Sequence, residues 1–200
     1  WIFYTSGTTG VPKGAMLSHR NLLQMCLQYG ADIDCVRAGD THLHVAPLSH
    51  GSGLYSLPHL FNGGHQVIEP GFHPDVVFEA LQRHTRVTFF AAPTMLTRML
   101  RASHGLTDPA RHLQTITYGG GPMYVSDLLQ CLSLFGPRMV QIYGQGESPM
   151  TITHLSREMH ADRAHPRWEQ RLASAGRPDS CVTVKVRIRR LKSAAPSNPA

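Results

Sequence analysis

Between residues 74 and 143 the sequence alternates between short apolar segments and longer amphipathic segments. The short segments predict strands at residues 86–90, 113–118 and 140–143. The longer segments predict helices at residues 74–84, from Pro93, and around residues 125–135. Helices of this length between successive strands require crossover connections, which make neighbouring strands parallel. The sequence therefore predicts the α/β class, with a mostly parallel sheet and crossover helices.

The flanking segments predict fewer regular elements. An apolar run at residues 1–3 indicates a strand, and apolar side chains at helical spacing predict a helix over residues 18–29. Short strands are predicted at residues 41–46 and 66–68. Residues 156–171 are polar and indicate a surface loop with one helical turn. Residues 182–188 alternate between apolar and polar side chains, which predicts a further strand.

Composition excludes several classes of protein. The chain has 200 residues, 42% apolar and 16% charged, which suits one domain or part of one. The net charge of +6 arises mainly after Asp179, where five basic side chains follow and no acid does. The rest is near neutral, so no nucleic-acid surface is predicted. No apolar run is long enough to span a membrane. The four cysteines lack C-x-x-C spacing, so we expect neither zinc nor disulfides, and a cytoplasmic location.

The segment from Tyr4 to Gly14 indicates phosphate binding. Its sequence, Tyr-Thr-Ser-Gly-Thr-Thr-Gly-Val-Pro-Lys-Gly, combines three glycines, four hydroxyl side chains and Lys13. Glycines allow backbone N–H groups to approach an anion, and hydroxyls and the ammonium group add donors. The segment does not match the P-loop motif of nucleoside triphosphatases, because Pro12 stands in place of the second glycine of that motif and Gly14 stands in place of its Ser or Thr. A helix start is indicated only at Ser18.

This segment resembles the phosphate-loop motif of the adenylate-forming (AMP-binding) superfamily, which includes acyl-CoA synthetases, peptide-synthetase adenylation domains and luciferases. Three further segments match the family in the family's order: residues 47–51, 119–122 and 143–147. The resemblance implies part of the layered αβαβα large N-terminal domain of an AMP-forming acyl-CoA synthetase. It covers residues up to 188, beyond which we expect a disordered basic tail at residues 189–200. We also expect a fragment, because the family's later motifs do not follow residue 178.

The resemblance also implies roles for individual residues. Lys13, His50 and Glu147 are the expected catalytic residues, and Glu147 is the expected Mg²⁺ ligand. The expected ATP-binding residues are Thr5, Ser6, Gly7, Thr8, Thr9, Gly10, Gly119, Gly120, Gly121, Pro122, Tyr143, Gly144 and Gln145. Two positions depart from the family: Gly121 stands where Ala is usual, and Gly146 stands where a Thr hydroxyl usually contacts the α-phosphate. The second departure removes a donor, which Ser148 or water would have to replace.

The reaction implied by the resemblance is ATP-dependent adenylation of a carboxylic acid, fatty or other, followed by transfer to CoA. ATP and a carboxylic acid are the expected substrates, with Mg²⁺ as cofactor and CoA as acceptor. Two alternatives stay open: an incomplete remnant that binds nucleotide or a partner without catalysis, and a piece of a peptide-synthetase adenylation domain. His42 and His44 lie two residues apart on one predicted strand, so their side chains should share a face.

Overall fold

A computed structural model describes residues 1–5 and 11–187. Its strands are β1 (Ile2–Thr5), β2 (Lys13–Met16), β3 (Thr41–His44), β4 (His65–Ile68), β5 (Val87–Ala91), β6 (Leu113–Tyr118), β7 (Met139–Gln145), β8 (Ser148–Leu155) and β9 (Arg177–Pro178). Its helices are α1 (His19–Gln28), α2 (Gly51–Leu54), α3 (Ser56–Phe61), α4 (Pro74–Arg83), α5 (Pro93–Ala102), α6 (Val125–Phe135), α7 (Arg157–Ala161) and α8 (Trp168–Leu172). A π-helical turn, Tyr29–Ile33, extends α1.

Seven strands form the central sheet, in the order β4-β3-β5-β6-β7-β8-β9. The first five in this order pair in parallel, and the connections between them contain helices α2 to α6. Strands β8 and β9 add to the sheet in antiparallel pairing, because a tight turn at residues 146–147 joins β7 directly to β8. Strands β1 and β2 form a separate antiparallel hairpin.

The core lies where the parallel strands meet their crossover helices. Leu43, Phe89 and Ile116 on three neighbouring strands are fully buried, and so are Leu81 and Leu96 on the covering helices. Pro93 stands in the first turn of α5, as the sequence indicated. The C-cap of α6 is Gly136, whose φ of 66° favours glycine. The central strands β3, β5 and β6 are buried on both faces, as strands of parallel sheets in α/β proteins are.

The predicted α/β class with a mostly parallel sheet is confirmed, and the elements between residues 74 and 143 lie where the alternation predicted them. The strand predicted at residues 182–188 is wrong over its described part, since residues 182–187 form no strand. The polar segment after Ser156 contains two short helices, where one helical turn was expected. Strands β2 and β8 were not predicted. The tail at residues 189–200, like Ile188, lies outside the described residues.

None of the helices in the described part of the chain has the length and apolar character that crossing a bilayer requires.

Candidate functional site

The candidate site lies along the edge of the sheet where the parallel strands end. Strands β3, β5, β6 and β7 all run in the same direction, so their carboxyl ends and the segments that follow share one edge. Three of the predicted segments are at this edge: residues 47–51 after β3, residues 119–122 after β6, and residues 143–147 at the end of β7. Ligands of open α/β sheets bind at this kind of edge.

The three glycines after β6 bring bare backbone to the site. A Cβ atom at Gly119 would lie 2.5 Å from the carbonyl oxygen of Ile142 on β7, so only glycine allows this approach between the two strands. Gly120 has a φ of 76°, a conformation that other residues rarely adopt. Gly120, Gly121 and Pro122 are exposed. Residues 120 and 121 therefore offer bare, exposed backbone with no side chain of their own against which a flat ring can lie.

The end of β7 presents polar side chains to solvent. Tyr143 is 44% exposed, and its hydroxyl accepts a hydrogen bond of 3.2 Å from Nε2 of Gln145. Glu147 is exposed in the turn that follows. The backbones of β7 and β8 come close together next to this turn. A Cβ atom on Gly144 would come within 2.4 Å of the Met150 backbone. Met150 itself has a φ of 58°, a strained conformation for a residue with a side chain.

The β1–β2 hairpin brackets the predicted phosphate loop. Thr5 and Lys13 are directly opposite in the antiparallel pairing, and the Thr5 hydroxyl donates a hydrogen bond of 3.4 Å to the carbonyl oxygen of Lys13. The loop residues Ser6, Gly7, Thr8, Thr9 and Gly10 lie outside the described residues. Lys13 is exposed at the start of a strand.

A P-loop lysine would instead stand at the start of a helix. Here the first helix begins only at His19, where the Ser18 hydroxyl accepts a hydrogen bond of 3.2 Å from the Asn21 N–H. Lys13 begins a strand and not a helix, which agrees with the conclusion from the sequence that this segment is not a P-loop.

The hairpin contacts the β7–β8 turn at Gly146. A Cβ atom on Gly146 would lie 2.4 Å from the Thr5 methyl carbon and 2.9 Å from Cδ1 of Phe3. The structure thus brings together two predicted segments that are about 140 residues apart in sequence: the phosphate-loop hairpin and the turn that carries Glu147. Phe3 was not among the predicted site residues, because nothing in the sequence indicates which β1 side chain faces the turn.

His50 stands in the loop after β3. It is exposed and occupies the N-cap position of α2, where its side chain makes no capping hydrogen bond. Its neighbour Gly51 faces β8, since a Cβ atom on Gly51 would lie 3.8 Å from the Met150 sulfur. Met150 therefore contacts both the loop of His50 and the end of β7. This role of Met150 was not predicted, because no residue pattern indicates a left-handed φ at a methionine.

A buried histidine cluster lies beneath the His50 loop. The rings of His42 and His44 on β3 are 4.4 Å apart, which places them on one face as predicted, and His59 on α3 lies 4.3 Å from His42. His44 bonds Gln66 Oε1 at 2.8 Å and Ser52 Oγ at 3.2 Å. Burial lowers the pKa of all three imidazoles. His59 was missed because its partners are 15 or more residues away.

Glu147 is the predicted metal ligand, and its surroundings suit that role. No hydrogen bond or ion pair joins its carboxylate to another side chain within residues 1–5 and 11–187. Mg²⁺ is usually held by one or two carboxylates together with substrate phosphates and water, so a single accessible carboxylate next to the hairpin that flanks the predicted phosphate loop fits this cation.

Asp32, His154 and Asp179 form a second group of side chains of the types that bind metals. Their potential ligand atoms already take part in hydrogen bonds within the protein. His154 Nδ1 lies 2.6 Å from Asp179, its Nε2 accepts from Arg177, and Asp32 accepts two hydrogen bonds from Ser180. These contacts tie the segment at residues 177–180 to β8 and to the π-helical turn, which indicates a structural role.

Comparison with known proteins gives one family and several relatives. The family model described as "AMP-binding enzyme" matches residues 1–198. A medium/long-chain-fatty-acid–CoA ligase of Mycobacterium tuberculosis is 31% identical, with 88% of this chain and 29% of that protein covered. A feruloyl-CoA synthase of an Amycolatopsis species is 32% identical, with 92% of this chain and 36% of that protein covered.

Among solved structures, the o-succinylbenzoate CoA synthetase of Bacillus subtilis in complex with AMP superposes with a TM-score of 0.73 and 29% identity. The alignment covers 90% of this chain and 35% of that one. The chain spans about a third of the length of the curated relatives that it matches.

Proposed function

The chain belongs to the AMP-binding enzyme family, and from that membership we propose that it carries the ATP side of an AMP-forming acid–thiol ligase. In this proposal residues 1–188 are part of a large N-terminal adenylation domain. The reaction is the activation of a carboxylic acid by ATP, which gives an acyl-adenylate and pyrophosphate. A thiol, with CoA as the proposed acceptor, then displaces AMP to form a thioester.

The observation that carries the proposal is the contact between the phosphate-loop hairpin and the β7–β8 turn. Gly146 meets Thr5 and Phe3, so the turn with Glu147 and the strands that hold the loop are neighbours. The bare backbone of residues 119–121 approaches the same strand, β7, at Ile142. The hairpin that flanks the predicted phosphate loop, the turn with Glu147 and a bare backbone surface thus all adjoin β7, an arrangement that supports a site for an adenine nucleotide with its metal.

The proposed mechanism assigns each residue a task set by charge. A carboxylate that attacks the α-phosphorus meets a polyanion, so the site must neutralise negative charge as it develops. Lys13, exposed beside the loop, would interact with the departing pyrophosphate, and the hydroxyls and amides of residues 5–10 would hold the phosphates. Tyr143 and residues 119–122 would orient the adenine, with Gly144 and Gln145 beside them. His50 would orient the carboxylate of the acid.

Glu147 would hold Mg²⁺, which when bound screens the charge of the triphosphate. The exposure of the Glu147 carboxylate supports this assignment. Removing the carboxylate with Glu147→Gln is expected to lower MgATP affinity more than ATP affinity without magnesium. Equal losses under both conditions would contradict metal binding by Glu147.

The acid substrate is proposed to be a fatty or aromatic acyl acid. Two of the relatives are named a medium/long-chain-fatty-acid–CoA ligase and a feruloyl-CoA synthase, which supports this choice. A panel of fatty, aryl and amino acids in a pyrophosphate-exchange assay would identify the class. Exchange with amino acids alone would instead favour the peptide-synthetase alternative.

A second candidate is nucleotide binding without adenylation, and Gly146 favours it. The family position usually carries a Thr hydroxyl that contacts the α-phosphate, and removal of a donor of this kind costs about 3 kcal/mol of transition-state stabilisation in other enzymes. Binding of MgATP without exchange by the chain would support this candidate. The proposed ligase requires both.

The deciding experiment compares Lys13→Ala with Lys185→Ala, a matched control that removes an exposed lysine far along the chain. We expect the first variant to lose at least about tenfold in the exchange rate, because the pyrophosphate loses its cation. The second should behave as the original chain. If neither the original chain nor either variant bound MgATP or catalysed exchange, the proposed function would be overturned.

A further inference from the structure

A small cavity lies between helix α1, its π-helical extension and strand β8. The residues around it include Met25, Gln28 and Tyr29 on the helical side, Tyr55 between α2 and α3, and Met150 on β8. Its volume for the centre of a water-sized sphere is about 10 Å³, which is close to what one water molecule needs. The cavity therefore suits a group of hydroxyl size.

Two side chains that line the cavity carry polar atoms without a partner. Gln28 is 3% exposed and Tyr55 is 1% exposed. Neither Nε2 of Gln28 nor the Tyr55 hydroxyl has a hydrogen-bond partner among the residues that the structure describes. Burial of a polar atom without a partner costs free energy, and a ligand that bonds both atoms removes that cost. These two atoms therefore indicate a polar ligand group in the cavity.

Met150 connects the cavity with the loop of His50. It lines the cavity, and its sulfur lies 3.8 Å from the Cβ position of Gly51, the neighbour of His50. Methionine side chains are unbranched and adaptable, so Met150 can adjust to a ligand that passes from the loop to the cavity. An acid whose carboxylate lies at His50, as in the proposed function, therefore has the cavity beside it.

We propose that this cavity is a hydroxyl-binding subsite, and that the preferred substrate is a fatty or aromatic acid with a neutral hydroxyl group away from its carboxylate. The inference rests on the proposed function, since it concerns the acid of the same reaction. A hydroxyl group offers one donor and two acceptor lone pairs, so it can accept from Gln28 Nε2 and bond the Tyr55 oxygen at the same time. Gln28 and Tyr55 determine specificity in this assignment.

The lining of the cavity disfavours two other kinds of acid. An acid without a polar group would leave Gln28 Nε2 and the Tyr55 hydroxyl buried and unpartnered, and sites that bond a substrate hydroxyl discriminate strongly against analogues that lack it. The Asp179 carboxylate also lines the cavity and is 4% exposed. A second carboxylate on the substrate would meet this charge, and like charges repel.

The test compares para-hydroxycinnamic acid with cinnamic acid, which differ by one hydroxyl group. Calorimetry measures binding of each acid to the full chain, and pyrophosphate exchange with MgATP measures the KM of each. We expect the hydroxylated acid to bind at least about tenfold more tightly and to have a KM lower by a similar factor.

Tyr55→Phe removes the hydroxyl and keeps the ring. It should reduce the preference for the hydroxylated acid to within about threefold and leave the binding of cinnamic acid unchanged. Tyr124→Phe is the matched control, because Tyr124 is 71% exposed and does not line the cavity. A preference that Tyr55→Phe leaves intact would overturn the proposal.

Thermal unfolding without ligand separates a subsite from a structural hydrogen bond. Because the Tyr55 hydroxyl has no partner within the described chain, Tyr55→Phe should not lower the Tm. A lower Tm in this variant, together with an unchanged preference between the two acids, would mean that the hydroxyl serves the fold alone.

Failure of the proposed function has a different result. If the chain binds the hydroxylated acid in a Tyr55-dependent way but catalyses no exchange, the subsite is supported and the ligase reaction is not. Exchange that proceeds equally well with cinnamic acid would support the ligase and overturn the subsite. Binding of neither acid would also overturn the subsite, whatever the chain does with MgATP.

Discussion

The three glycines after β6 differ in what a methyl group at each would meet. At Gly119 it would press on the Ile142 carbonyl oxygen at 2.5 Å; at Gly120 the φ of 76° disfavours any side chain; at Gly121 the nearest atom is Cδ of Pro93 at 3.8 Å, an ordinary contact. The position where the family usually has alanine is therefore the position where this structure accepts one.

Alanine at these positions should thus have graded effects on stability. Gly119→Ala is expected to lower the free energy of unfolding by about 1–3 kcal/mol through overpacking. Gly120→Ala should lower it by about 1–2 kcal/mol through backbone strain. Gly121→Ala should stay within about 0.5 kcal/mol of the original chain. Urea unfolding measures all three, and equal losses at positions 119 and 121 would contradict the close approach of β6 and β7.

His160 on α7 predicts a pH dependence of stability. Burial is the main cause that lowers its pKa to about 4, although its Nδ1 hydrogen bond to the Ser156 carbonyl oxygen and the nearby Glu158 carboxylate act in the opposite direction. Its Nε2 lies 2.8 Å from the Tyr118 hydroxyl, which can donate to it only while the ring is neutral. The unfolded chain has an ordinary histidine pKa of about 6.5.

Between these two pKa values the unfolded chain binds a proton that the folded chain does not. Stability from neutral His160 is complete above about pH 6.5 and falls with decreasing pH, by about 1.4 kcal/mol per pH unit. His160→Gln should reduce the slope of unfolding free energy between pH 6.5 and 5 by that amount, and His19→Gln, exposed on α1, should not. An unchanged slope in the first variant, or an imidazole that NMR shows protonated at pH 5.5, would contradict the prediction.

At the scale of elements, Asp34 joins the end of the π-helical turn to the sheet and to α7. Its buried carboxylate lies 2.7 Å from an Arg157 nitrogen, and it accepts hydrogen bonds from Thr115 and from Gln114 on β6. The ion pair and these hydrogen bonds together link the π-helical turn, α7 and β6, which are far apart in sequence. Such a pair is costly to break from one side, because the charge that remains, on an Arg157 side chain only 24% exposed, loses its compensation.

Asp34→Ala is therefore expected to lower the free energy of unfolding by about 3–5 kcal/mol. The double variant Asp34→Ala/Arg157→Met should recover part of the loss, since it removes the uncompensated charge. Asp75→Ala is a control on an exposed carboxylate whose partner His73 is also exposed, and should cost less than about 1 kcal/mol. A double variant as unstable as the sum of two single losses would contradict the coupling of Asp34 with Arg157.

The elements that sequence could predict are those whose buried residues are apolar. Helices α4 and α6 follow this rule, since the buried residues of each are apolar, and the bounds of α6 match the predicted ones. Strand β8 was missed because its buried positions include Thr151, Thr153 and His154, which weaken the apolar alternation. The reverse error occurred at residues 182–187, where the alternation is clear but Val186 is 89% exposed and no neighbouring strand pairs with it among the described residues.

The candidate site likewise has features that the sequence could predict and features that it could not. The segments at the strand ends followed from motif order and from the rule that parallel strands end at one edge. The contacts between segments did not follow, because Phe3 against Gly146 depends on how the hairpin packs against the sheet, and Met150 against Gly51 on how α2 packs against β8. Sequence patterns describe one element at a time, whereas these contacts are long-range.

At the scale of the whole molecule, the described residues form a seven-stranded sheet with its helices and a two-stranded hairpin that does not pair with it. Strands β5 and β6 are almost completely buried, whereas the hairpin exposes Trp1, Ile2, Tyr4 and Met16. Backbone hydrogen bonds in the buried strands should open only on global unfolding, and those of the hairpin by local opening. We therefore expect the sheet to unfold cooperatively and the hairpin to open independently of it.

Hydrogen exchange can test whether nucleotide couples the two parts. In the chain without ligand, the amides of β1 and β2 are expected to exchange much faster than those of β5 and β6. MgATP should slow exchange at residues 2–5 and 13–16, because a ligand held between the loop and the Glu147 turn makes opening of the hairpin cost its binding energy. Strand β5 serves as the internal control. Hairpin amides as protected as those of β6 without ligand, or unaffected by bound MgATP, would show that the hairpin is not the part of the molecule that responds to nucleotide.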